Sequence, residues 1–402
     1  MSLKALRLQS AGESHGPQCT IILDNIPAGL PLSADQVNRH LTRRQGGYGR
    51  GGRMKIERDQ VQFVSGVRYG ETLGSPIAMV VANLDWANWA GKMDIAEPAE
   101  RVAKVTKMRP GHADFTGAVK YSHDDVRNVL ERASSRETTS RVAAGSVCRA
   151  FLEYFGIEIF SHTVRIGEVE ALVPDEIRLD KRGSKNPAIA TFFESVEESA
   201  VRTGDAASAE RMIEAIDAAR SEGDTLGGVF EVVAYNVPIG LGSFAQWEDR
   251  LDGRIVGALG SIPSIKGAEV GDGFAEAARR GSKVHDVISY NDEQGWLHDT
   301  NNAGGTEGGI TNGAPIVARA AAKPIATLMK PLPSTDLATR ERAVAHVERS
   351  DVCVIPAAGV VGEAMLAIVL ADAFRQKFGG DSVAEIERNY RSYIATYEPA
   401  VV

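Results

Sequence analysis

The strand signals in this chain come in runs, with helices between the groups and no strict strand–helix alternation. A doubly wound parallel sheet needs that alternation. The pattern therefore points to antiparallel sheets packed on helices, an α+β fold. Strands are expected over 3–9, 19–25, 76–83, 157–166, 229–236 and 315–322, with 60–67 paired to 55–57 about Arg58-Asp59. Ser33-Ala-Asp-Gln36 is a capping box that opens a helix to about Arg44. Ser134-Ser-Arg-Glu137 is a second, its helix running to Gly156 as the C′ residue, and Ser382-Val-Ala-Glu385 caps the last helix. Helices are also expected over 124–131, 208–222 and 252–259, with a strongly apolar one over 360–378. The stretches 84–122 and 260–313 read as irregular, and 168–205 as acidic surface. Gly70-Glu-Thr-Leu-Gly74 and Gly223-Asp-Thr-Leu-Gly227 each lead into a strand ending in Asn, an echo that predicts two similar halves.

With 402 residues and 43% hydrophobic content, the chain can bury a large core. Its 53 acidic and 45 basic side chains give a net charge of −8, which argues against a nucleic-acid binder. Clustered arginines are then local positive islands that can concentrate an anionic substrate. Cys19, Cys148 and Cys353 lie far apart, which fits a reducing compartment and no cysteine zinc site. The N-terminal residues lack the apolar region of a signal peptide. No apolar run approaches the ~18–20 residues of a membrane span. A cytoplasmic protein without membrane or nucleic-acid partners is expected. No HExxH, Walker A or strand-linked GxGxxG pattern is present, so neither a zinc site nor a Rossmann nucleotide domain is expected.

Five polar segments carry the chemistry. Gly12-Glu-Ser-His-Gly16 matches the GxSxG of serine hydrolases, but the oxyanion segment that normally precedes an elbow has no room here. A plain turn is the bland reading. A tight loop presenting Ser14 and His15 to a ligand, with His15 as proton donor, is the better one. Arg43–Arg53 has five glycines in seven residues, which no regular element tolerates. It could be a solvated charge run or an RNA-binding segment. The favoured reading is close backbone approach to a ligand whose charges are held by Arg44, Arg50 and Arg53. Arg109-Pro-Gly-His112 holds His112 in a turn, where a structural role and a catalytic one are both open. Arg132, Ser134 and Arg136 open a helix, whose N-terminus is a natural anion site. Asn302–Gly309 with Lys323–Thr327 can hold a phosphate, and Asp351 beside Arg349 is an ion pair or, in a cleft, a base.

Together, Gly12-Glu-Ser-His-Gly16, Gly47-Tyr-Gly-Arg-Gly51, Arg109-Pro-Gly-His-Ala-Asp114, Arg132-Ala-Ser-Ser-Arg-Glu-Thr138 and Arg349-Ser-Asp-Val-Cys353 resemble the chorismate synthases, in that family's order and over nearly the whole chain. The resemblance implies a lyase that converts 5-enolpyruvylshikimate 3-phosphate to chorismate by 1,4-anti elimination of phosphate and the C6 proton. It implies reduced FMN (FMNH2) as cofactor, a single domain over 1–402, a β-α-β sandwich with helices between two antiparallel sheets, and a homotetramer. It makes His15 the proton donor to the departing phosphate, sets His112 beside flavin N1, and has Asp351 work with flavin N5 on the C6 proton. Substrate would be bound by Ser14, Arg44, Arg50, Arg53, Arg109, Ser134, Arg136 and Arg349. Flavin would be bound by Arg132, Ala133, Ser134, Pro263, Ser264, Gly308, Lys323, Pro324, Ile325, Ala326, Thr327 and Arg349. The family commonly has Asn-Ala where this chain has Pro263-Ser264, so an amide side chain and a backbone donor are lost there. Members that reduce their own flavin with NADPH carry large insertions absent at this length, which implies an external flavin reductase as partner.

Overall fold

A computed structural model describes residues 3–51, 58–97, 102–293, 295–348 and 350–397. One antiparallel sheet contains β1 (Arg7–Ala11), β2 (Gln18–Asp24), β3 (Val61–Ser65) and β4 (Ile77–Ala82), in the order β1-β2-β4-β3. Its register sets Cys19 opposite Val81, Ile21 opposite Met79 and Leu23 opposite Ile77. Alternation along each strand sends all six to one buried face. Next come α1 (Ala34–Gln45), α2 (Asp114–Tyr121), α3 (Thr138–Tyr154), β5 (Glu158–Ile166), α4 (Pro187–Glu198) and α5 (Ala206–Glu222). They are followed by β6 (Gly228–Tyr235), α6 (Leu251–Gly260), β7 (Ile265–Val270), β8 (Ile316–Ala322), α7 (Ile355–Phe378) and α8 (Val383–Ile394). The second antiparallel sheet runs β7-β8-β6-β5, with Val169–Glu170 at its edge beside β5. Helices and antiparallel sheets in this proportion make an α+β protein.

α3 packs against β2 and β4 of the first sheet, α7 packs against β5 and β6 of the second, and the two helices pack on each other. Their approach depends on missing side chains. A Cβ on Gly145 of α3 would lie 2.4 Å from Ala364 Cβ, and one on Gly362 of α7 would lie 2.4 Å from the Phe230 ring of β6. α7 is apolar on every side and is buried accordingly. Contrary to expectation it is long and apolar enough to cross a membrane by length and composition, yet its whole apolar window lies inside the protein.

Two carboxylates of α7 tie distant elements to it. Glu363 accepts hydrogen bonds from Arg43 of α1 (2.6 and 2.9 Å), Arg149 of α3 (2.6 Å) and Ser161 of β5 (2.6 Å). Burial raises its proton affinity, but these arginines outweigh burial and hold the carboxyl far below the ordinary range. Asp372 accepts from the backbone N–H groups of Lys4, Ala5 and Leu6 at 3.0, 2.8 and 2.7 Å. That explains why β1 begins at Arg7 and not at residue 3: the preceding N–H groups serve the carboxylate instead of a ladder.

The local signals held well. Ser33 and Gln36 form a reciprocal capping box on α1, Ser382 caps α8, and Gly156 ends α3 at φ +79. The N–H of Gly156 donates to Glu153 and that of Ile157 to Leu152, as in a Schellman cap. Three expectations need correction. Ser134 accepts from the Arg136 N–H and not from Glu137, so a 3-10 turn over Ser135–Glu137 precedes α3, and Glu137 pairs with Arg141. The stretch 168–205 is not merely surface. Its helix α4 buries Ile189, Phe192, Phe193 and Val196 against Val233, Tyr235 and Val317 on the outer face of the second sheet. The irregular 84–122 stretch holds α2, and 260–313 holds β7 and two small hairpins. β3 pairs with β4; the expected pairing of 60–67 with 55–57 falls on residues outside those described.

Candidate active site

A cleft of about 540 Å³ collects residues from most of the chain. Its walls come from the β1–β2 loop (Ser14, His15), the end of α1 with the glycine-rich loop after it (Arg44, Arg50), the Arg109–Ala113 turn and the approach to α3 (Ala133, Ser134, Arg136). The remaining wall is Ile262–Ser264, Lys323, Ile325–Thr327, Asp351 and the first turns of α7 at Ala357 and Ala358. The positive end of this long helix therefore borders the cleft, a feature that no motif in the sequence marks.

The β1–β2 loop closes tightly because Gly12 adopts φ +118, where a Cβ would sit 2.5 Å from the Gln18 carbonyl. It joins two antiparallel strands, whereas a nucleophile elbow is a strand-to-helix turn. The serine hydrolase reading has no support. His15 Nδ1 lies 2.9 Å from Glu131 Oε1, and its ring stacks on Trp89 with centroids 3.6 Å apart. Burial raises the proton affinity of Glu131, but hydrogen bonding and charge from His15 and Arg127 outweigh it and leave the carboxyl below its ordinary value.

His112 is held in the same way. Its Nδ1 hydrogen-bonds Asp114, which is fully buried and starts α2. Asp114 also accepts from the Arg109 backbone N–H and from Nε, at 3.0 and 2.9 Å. Arg109 Nη1 donates to Thr327 Oγ1 at 3.0 Å, bridging this turn to the Lys323–Thr327 segment. Burial opposes ionisation of Asp114, but its bonds to His112 and Arg109 win and drive the carboxyl far down. With Nδ1 on a carboxylate in each ring, Nε2 is the nitrogen that a ligand in the cleft would address.

Arg44 and Arg136 share one buried carboxylate, Asp59, at 3.4 and 3.0 Å. Arg44 also donates to Thr138 Oγ1 and to the Ser135 carbonyl. Arg50 lies 3.4 Å from Asp351, whose Oδ1 accepts the Gly51 N–H at 2.6 Å. The glycines here do something other than expected: they let the backbone approach the chain itself. A Cβ on Gly47 would lie 2.8 Å from Pro356, on Gly49 3.0 Å from Cys353 and on Gly51 3.0 Å from the Ser350 carbonyl. That contact brings Arg50 and Asp351 together. Arg43 and Arg44 are committed to internal carboxylates, so a solvated charge run or RNA-binding strip does not describe this segment.

Three expected site residues lie elsewhere. Arg132 is exposed and donates to the Ser10 and Gly12 carbonyls, bracing the β1–β2 loop from outside the cleft. Gly308 is exposed in the turn between Thr306–Glu307 and Ile310–Thr311, away from the lining. Pro324 is exposed between lining residues. Arg53 and Arg349 lie outside the described residues. Pro263 and Ser264 do line the cleft, with Ser264 at φ +71. The residues missed are Asp59, Trp89, Glu131 and Asp114. Glu131 and Asp114 stand at the edges of recognised motifs, so adjacency was the available signal.

The family model described as chorismate synthase matches residues 6–374. A chorismate synthase of Aquifex aeolicus (strain VF5) is 52% identical over 396 residues, covering 98% of each chain. One from Geobacter metallireducens is 52% identical over 400 residues, covering 97% of this chain and 98% of its own. A crystal structure of chorismate synthase superposes with a TM-score of 0.78 at 42% identity, covering 99% of both chains.

Proposed function

The chain belongs to the chorismate synthase family and is a carbon–oxygen lyase of the shikimate pathway, and from that premise we propose how its cleft carries out the elimination. The carrying observation is that segments remote in sequence converge on one cleft with four arginines and two histidine–carboxylate pairs. 5-Enolpyruvylshikimate 3-phosphate brings a phosphate and two carboxylates. Arg44, Arg50, Arg109 and Arg136 divide that charge, helped by the positive end of α7. His15 Nε2 delivers a proton to the phosphate oxygen, which makes a better leaving group as the C3–O bond breaks. Asp351 receives the C6 proton, and the C6–H electron pair becomes part of the new diene. Ser14, buried beside His15, binds the substrate.

The donor set suits a phosphate-bearing planar cofactor. Lys323 and Arg109 supply charge, Ser134 a hydroxyl, and Ile262, Pro263, Ile325 and Val361 an apolar wall. Burial, with Lys266 nearby, lowers the Lys323 ammonium below its ordinary value, and a bound anion would oppose that shift. Reduced FMN, when bound, would supply an electron transiently without net redox change. Lys323, Ala326 and Thr327 would hold it, with His112 at its ring. The same reading takes the chain as one domain, its two sheets enclosing α3 and α7 as a sandwich of two similar halves. It takes the assembly as a cytoplasmic homotetramer fed by a separate flavin reductase. The large apolar side chains exposed at Phe244, Trp247 and Phe274 are consistent with subunit contacts.

The test is an anaerobic assay with 5-enolpyruvylshikimate 3-phosphate and chemically reduced FMN. Chorismate absorbance and free phosphate should rise together, and neither should rise with oxidised FMN. Product formed equally without reduced flavin would sink the cofactor assignment.

A further inference from the structure

We propose that Glu131 is the positioning residue for His15: its carboxylate fixes the imidazole as the Nδ1–H tautomer, turns Nε2 to the cleft and keeps the ring ready to carry a proton. This rests on the reading of His15 as the proton donor. The geometry is specific. Glu131 Oε1 and Oε2 lie 2.9 and 3.0 Å from Nδ1, and Oε2 also accepts the His15 backbone N–H at 2.8 Å. The Glu131 carbonyl accepts the Ser14 N–H at 3.0 Å. The two backbone bonds already clamp the loop, so the bonds to Nδ1 are additional to what bracing requires. Trp89 covers a ring face at 3.6 Å and leaves the imidazole one plane to occupy.

The carboxylate itself is 1% exposed. Arg127 compensates it from the preceding turn at 3.0 Å, so a buried anion persists beside the ring. Among the described residues, charged groups near His15 also include Asp85 and Lys92 on the Trp89 side, and Glu348 and His346 beyond Arg127. Glu131 is the carboxylate bonded to the ring, and Arg127 moderates it. The two substitutions should therefore act in opposite directions, which a purely structural role would not produce.

The experiment pairs Glu131→Gln with Arg127→Gln, in protein carrying nitrogen-15 histidine and with His15 signals assigned through His15→Asn. Neutral His15 should be the Nδ1–H tautomer in the parent and lose that preference in Glu131→Gln. A rate that needs the protonated donor falls as pH rises. Removing the neighbouring anion lets the proton leave earlier, so the basic limb of kcat/KM should move to lower pH by about one unit or more. In Arg127→Gln it should move to higher pH. An unchanged tautomer and an unmoved limb in Glu131→Gln would overturn the proposal. A changed tautomer with an unmoved limb would support the hold of Glu131 and overturn His15 as donor. If Glu131→Gln does not fold, the upward movement in Arg127→Gln carries the test, and its absence overturns the proposal.

Discussion

Asp59 belongs to no motif, yet it fixes where two cleft arginines sit. Arg136 and Arg44 are each 4% exposed, both bond its carboxylate and both line the cleft, so one buried anion holds two cationic forks at its wall. A lysine at such a position keeps the charge but not the fork. Arg136→Lys should raise KM for 5-enolpyruvylshikimate 3-phosphate by about tenfold to a hundredfold, the loss of a charge-assisted hydrogen bond of about 1.5–3 kcal/mol, with an unchanged circular dichroism spectrum. Unchanged KM would remove Arg136 from substrate binding. At this scale the sequence was legible in part. His15, His112, Arg44, Arg50, Arg109, Arg136 and Asp351 were recognised from their motifs and reach the cleft. Asp59 was not, because its partners are 15 and 77 positions away. The place of Arg132 was hidden for a related reason: its motif is in place, but its side chain turns back to the carbonyls at residues 10 and 12.

Between elements, the contact of α3 with α7 governs how closely the layers approach. Gly145 lies against Ala364 with no room for a methyl, and the obstruction is backbone as well as side chain, since Ala364 Cα would be 2.6 Å away. Gly145→Ala must push the helices apart. It should destabilise the fold by about 1–3 kcal/mol or more, seen as a lower urea midpoint at unchanged slope. Gly253→Ala is the control: α6 has open space there, and the better helix former should be neutral or slightly stabilising. Caps and helix ends were readable because their hydrogen bonds span three to five residues. The helix α4 was not, because the acidic composition around it masked an apolar face that only the outer side of the second sheet explains.

The whole molecule is pinned by Glu363, where α1, α3, β5 and α7 meet. Its folded proton affinity is depressed, so its contribution is fully present above the unfolded glutamate value of about 4.3 and is lost as pH falls below it. Glu363→Gln should cost about 3–5 kcal/mol at neutral pH, as expected when one partner of a buried ion pair is removed. The gap between variant and parent in urea denaturation should narrow toward pH 3. A gap constant with pH would show that the carboxylate's charge is not what stabilises the junction. The sequence alone determined the α+β class, most helix ends, the chemical family and many of the residues that line the cleft, since each is written in neighbouring positions. Tertiary structure alone decided which carboxylate serves which arginine or histidine. Ser33 finds Gln36 three residues on, whereas Glu363 finds Arg43 across 320 positions. A pairing of that kind exists only once packed helices and sheets have excluded water from both partners, and no local pattern encodes it.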